Sequence, residues 1–144
     1  MKLQFLLTFF ALTIYSNAQE LTNSKIIDQY AIYPTCEDSI DNLPNCFDTK
    51  LNEDVQAKLS KIKLDKILKN SGKYFAKINF VIDEEGNFTN FRISGNDVLG
   101  RISKEILIKI NTEQTTNNTK IIPAKLNGAP VKINYNLPIE YKVN

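Results

Sequence analysis

The sequence predicts an α+β domain in which two helices cover one face of a three-stranded antiparallel sheet. Three observations lead there. Apolar residues recur at helical spacing through Leu51, Val55, Leu59 and Ile62, and again through Leu99, Ile102, Ile106, Leu107 and Ile110. Apolar and polar residues alternate along Lys73–Asp83 and along Val131–Tyr141, the period of a half-buried strand. Between the first alternating run and the next lies Asp83-Glu84-Glu85-Gly86, the composition of a hairpin turn with glycine in the left-handed position.

The first stretch stands apart from this fold. Met1-Lys2-Leu3 gives a short positive start, Phe5–Tyr15 is an uninterrupted run of mainly apolar residues, and Ser16-Asn17-Ala18 places small side chains before Gln19. That order is expected of a cleavable signal peptide over residues 1–18, the alternative being a buried N-terminal helix. The run falls short of the roughly 17–25 residues that span a bilayer, and no second such stretch follows, so the mature chain is expected to carry no transmembrane anchor. Residues 19–50 read as an irregular segment, with two prolines and clustered Asp and Asn around Cys36 and Cys46. In an exported chain these two cysteines are expected to form a disulfide, the alternative being two buried thiols.

Residues 51–144 then form the α+β domain. The first helix runs from Leu51 towards Leu68, and Asn70-Ser71-Gly72 ends it. The strand at Lys73–Asp83 turns at Gly86 and returns as Asn87–Ser94. Along the return, Phe88, Phe91 and Ile93 break the period of two, and a bulge near Thr89-Asn90 restores all three to the core face. Gly95-Asn96-Asp97 stops that strand and caps the second helix. Thr112–Lys120 is polar and without period, so it reads as a loop. The closing strand is Val131–Tyr141, in which Pro138 fits best on a side with no partner strand.

Composition narrows the function. The chain has 144 residues, a formal charge of +2 and no histidine, with 42% hydrophobic residues. Near-balanced charge speaks against a nucleic-acid partner. With no histidine to serve as a base near neutral pH, and no nucleophile elbow or phosphate-binding loop, no enzyme class is indicated and no cofactor is expected. Asp83, Glu84 and Glu85 read as a solvated turn, with no ligand spacing that suits a cation. The aromatic residues of the hairpin read as core packing instead of a base-stacking platform.

The runs YFAKINFVIDEEGNFTNFRISG at Tyr74–Gly95 and IIPAKLNGAPVKINYNLPIEY at Ile121–Tyr141 resemble the C-terminal domain of the TonB family, most of all its small exported flavobacterial-type members. Asp83 and Gly86 match the family's hairpin turn and Pro123-Ala124 its Pro-Ala step. Asn127-Gly128-Ala129-Pro130-Val131 matches its second turn, and Tyr135 with Leu137-Pro138-Ile139 its final strand. Tyr33-Pro34-Thr35-Cys36 and Cys46-Phe47 resemble its opening. The sequence departs from the pattern at Ile121, where members carry Trp, at Leu64-Asp65, where many carry Tyr-Pro, and in the polar Thr112–Lys120 connection.

The resemblance implies a non-catalytic protein-contact module in the periplasm or secreted. The family's energy transducers are anchored in the inner membrane, cross the periplasm on a Pro-rich segment and pair with an extended peptide of outer-membrane transporters. This chain resembles their last domain alone. The family's fold implies that Val131–Ile139 lies at a sheet edge, where free N–H and C=O groups are a template for an added strand. Val131, Lys132, Ile133, Asn134, Tyr135 and Asn136 are therefore the candidate protein-binding residues. The partner implied is an envelope protein, an extended peptide or a second copy of the chain. The alternative is a secreted structural or ligand-binding protein that keeps the fold without transducer function.

Overall fold

A computed structural model describes residues 27–36 and 42–144, so the expected signal peptide lies outside the described residues. In chain order the elements are helix α1 (Leu43–Leu59), the single turn α2 (Leu64–Ile67), strands β1 (Gly72–Ile82) and β2 (Phe88–Gly95), helix α3 (Asp97–Thr116), and strands β3 (Ala124–Leu126), β4 (Ala129–Val131) and β5 (Ile133–Val143). The fold is α+β, with β1 at the centre of an antiparallel sheet of order β2-β1-β5. A separate two-stranded ladder joins β3 to β4. The helices lie against one face of the large sheet, where Ile78, Phe80 and Ile82 of β1 meet Leu137 and Ile139 of β5 and Leu99 and Leu107 of α3.

Helix α1 begins at Leu43, within the segment expected to be irregular. The side chain of Asn42 accepts a hydrogen bond from the Asn45 backbone N–H, and Pro44 occupies the first turn, where its missing N–H has no partner to lose. A proline that reads as a breaker is here part of the start. Phe47, Leu51, Val55 and Leu59 form one buried stripe at a spacing of four. The helix stops at Ser60, whose hydroxyl donates to the Ala57 carbonyl at 2.8 Å, instead of running on to Leu68. Leu64 and Leu68 reach the core from the separate turn.

The hairpin is built as expected. Asp83 Oδ1 accepts from the backbone N–H of Glu85 at 2.9 Å and of Asn87 at 2.8 Å, and Gly86 has φ of 81°. In β2, Asn90 and Phe91 stand opposite the single residue Phe80, and Asn90 has φ of 53°. This is the bulge that keeps Phe88 and Phe91 against Phe80, at ring-centroid distances of 4.6 and 5.6 Å. Asn96 caps α3 by accepting from the Leu99 N–H at 2.9 Å. At Gly100, α3 presses on β2 so closely that a Cβ would sit 2.2 Å from Ile93 Cγ2.

The Thr112–Lys120 stretch corrects the loop expectation, because α3 continues to Thr116. Thr112, Thr115 and Thr116 each donate a hydroxyl to the carbonyl four residues earlier, which ties these side chains to the helix. Asn118 then takes the left-handed conformation, with φ of 57°, and the Thr119 N–H reaches the Gln114 carbonyl at 2.9 Å to close the end.

The segment before α1 packs into the same core. Ala31, Ile32 and Tyr33 are buried, and isolated bridges join Gln29 to Lys125 and Ile32 to Ile122. Cys36 and Cys46 lie at disulfide distance with Cα atoms 6.1 Å apart, fastening this segment to the first turn of α1.

Candidate functional site

The six candidate residues divide between two elements. Val131 ends β4 and pairs with Ala124, Lys132 lies in the bend that follows, and Ile133–Asn136 open β5. The expected single strand Val131–Tyr141 is thus two strands, because Asn127 and Gly128, with φ of 50° and 78°, fold β3 onto β4 as a two-residue turn. β5 pairs with β1 alone, so its other side is an open edge among the described residues.

Backbone alternation decides which residues face that edge. The Asn96 N–H donates to the Phe75 carbonyl at 2.7 Å, so the backbone of Phe75 points towards β2. Lys77 and Asn79 follow it, two and four residues on, whereas Ala76, Ile78, Phe80 and Ile82 turn theirs to β5. Their partners Ile139, Leu137, Tyr135 and Ile133 are consequently engaged in the ladder. Asn134, Asn136, Pro138 and Glu140 turn their backbone groups outward. Pro138 therefore removes a donor from the open edge and none from the ladder with β1. The outward N–H groups of Asn134 and Asn136 stand together on one side of it.

Side chains follow the opposite logic. Ile133 and Tyr135 are buried on the helix side, whereas Lys132, Asn134 and Asn136 are exposed. Tyr135 fixes the site to the helices: its ring lies 5.2 Å from both Phe47 and Phe80, and its hydroxyl donates to Asp48 of α1. Burial raises the Tyr135 phenol well above its ordinary pKa, and the hydrogen bond to the Asp48 carboxylate adds to it. Tyr30, beside the same carboxylate, is pushed up to about 12, first by burial and then by the Asp48 charge. Tyr33 is raised in the same way, and its hydroxyl donates to Asp54 Oδ2 at 2.5 Å. All three phenols stay protonated near neutral pH, and those of Tyr33 and Tyr135 donate to carboxylates. At the mouth of the strand, Lys132 Nζ lies 3.8 Å from Glu84 of the hairpin turn, an exposed pair of little energetic weight.

Cys36 and Cys46 form a structural fastening some way from the edge, linked to it through Phe47 and Tyr135. Sequence reasoning missed the role of Asp48, whose carboxylate holds the inward tyrosine between the two outward asparagines. Two acids six apart, Asp48 and Asp54, were the available signal, and it became readable only with the helix start known. No described helix is long and apolar enough to cross a membrane. Compared with family models, curated proteins and solved structures, the chain matches none.

Proposed function

We propose that the domain is a non-catalytic protein-binding module that takes an extended segment of a partner as an added strand along β5. The partner is an envelope protein met in the periplasm or after secretion, and the module relates to the C-terminal domains of TonB energy transducers, in a role accessory to outer-membrane transport. One observation carries the reading: β5 has a strand on one side only, and Asn134 and Asn136 direct their backbone groups away from it. The resemblance of Tyr74–Gly95 and Ile121–Tyr141 to that family supports it further. An added strand would be held by these N–H and C=O groups, with Lys132 and the two asparagines selecting among sequences.

Random 12-residue peptides panned against the full chain supply a defined probe. Selected peptides are expected to shift the amides of Asn134 and Asn136 and to lose about fivefold in affinity with Asn134→Pro, since one net hydrogen bond is worth about 1 kcal/mol. The fold of that variant should persist, because the deleted donor points outward. Equal binding to Asn134→Pro, or shifts centred on Cys36 and Cys46, would exclude the edge as the site.

A further inference from the structure

The sheet face turned away from the helices has a chemistry of its own. Alternation places Phe75, Lys77, Asn79 and Val81 of β1 there. The register sets Arg92 and Asn136 on either side of Asn79, and Ser94 and Pro138 on either side of Lys77. A shallow cleft of about 740 Å³ has Asn79, Asn90, Arg92, Lys132, Asn134 and Asn136 as its polar lining, with Val81, Phe80, Phe91 and Tyr135 as the apolar part. A second hollow of about 490 Å³ adjoins it along β1, around Pro138 and Phe75, a residue 55% exposed.

Charge on this face has one predominant sign. Lys73, Lys77, Arg92, Lys132 and Lys142 stand there with Glu140 as the one facing carboxylate of the three strands. Glu140 is taken by Lys73 at 3.1 Å, and Lys132 reaches out to Glu84 of the turn. The Arg92 guanidinium and the carboxamides of Asn79, Asn90, Asn134 and Asn136 engage no protein partner among the described residues. Each carboxamide offers donors and an acceptor together, the complement of a hydroxyl group, which also does both. A guanidinium matches a carboxylate with two parallel hydrogen bonds.

We infer that this face binds an acidic oligosaccharide, with a sugar carboxylate at Arg92 and Lys132, ring hydroxyls on the asparagines, and the C–H face of a further ring on Phe75. The negative face of an aromatic ring suits such C–H groups. From Phe75 to Val81 the strand covers about 20 Å, a length for several linked sugar rings. The cleft falls within the roughly 300–1,000 Å³ of small-ligand sites. The inference goes beyond strand addition, because it uses side chains standing off the face and not the backbone of the edge.

The test titrates the full chain with tetragalacturonate, with neutral maltotetraose and with hexaglutamate, read by NMR shifts and calorimetry. Tetragalacturonate is expected to shift the side-chain amides of Asn79, Asn134 and Asn136 and the Arg92 Nε–H, to bind at least tenfold more tightly than maltotetraose, and to weaken with salt. Arg92→Gln, at an exposed position, should lower that affinity tenfold or more while leaving the melting temperature unchanged, and Asn79→Ala should act in the same direction. Absence of shifts at millimolar tetragalacturonate would overturn the inference. So would undiminished binding by Arg92→Gln, equal binding of maltotetraose, or tighter binding of hexaglutamate to the same residues. Arg92 and Asn79 lie on β2 and β1, away from the outer edge of β5, so these results leave the strand-pairing proposal to stand or fall by its own test.

Discussion

Gly86 and Gly128 each close a hairpin, and each adopts a left-handed backbone, with φ of 81° and 78°. A Cβ at Gly86 would lie 2.1 Å from the carbonyl oxygen of Ile121, whereas one at Gly128 would meet nothing within 4 Å. The first turn is wedged against the chain leading into β3, and Asn111 of α3 fastens it further. Its amide donates to the Gly86 carbonyl at 3.2 Å and its oxygen accepts from the Phe88 N–H at 3.1 Å. The second turn is exposed on its outer side and is held at the Asn127 N–H by the Asp28 carboxylate. Two glycines of the same conformation thus hold different parts of the stability: one is required by backbone strain and close approach, the other by backbone strain alone.

The sharpest way to break this comparison is Gly86→Ala. Left-handed strain and the collision with a backbone carbonyl together should cost about 2–4 kcal/mol, read as the midpoint of urea unfolding. A cost no greater than that of Gly128→Ala would show that the turn is not wedged. Asn111→Ala comes next, at about 1–3 kcal/mol, since it strands a partly buried N–H and a carbonyl. Gly128→Ala should follow at about 1 kcal/mol, from strain without collision. Glu85→Ala should fall within about 0.5 kcal/mol of the parent, as its side chain is on the solvated side of the same turn.

The wedge under Gly86 was beyond the reach of sequence reasoning, although the turn itself was legible. Asp83, Gly86, the slip of parity between Phe88 and Phe91, and the Asn96 cap are local signals, and each has the geometry its chemistry demands. The contact with Ile121 joins residues far apart along the chain, and nothing nearby announces it. The bridges from Gln29 and Ile32 to Lys125 and Ile122 are of the same kind. Two local rules also competed and lost. Pro44 read as a breaker but sits in the one turn that needs no N–H, and Thr112–Thr116 read as a loop although their hydroxyls bond back along α3. At the candidate site, alternation marked Lys132, Asn134 and Asn136 as exposed. Which backbone groups face outward needed the register of all three strands.

Pro138 has a consequence for growth. A strand that offers a donor at every outward position can recruit another strand, which offers its own far side in turn, and the process has no natural end. With a proline in the middle of that row, the donors at Asn134 and Asn136 are separated from those at Glu140 and Lys142. A visiting strand would find a short landing with a definite end, long enough for a few residues and too broken for a continuous ladder. By interrupting that row of donors, Pro138 therefore protects an exposed edge from polymerising.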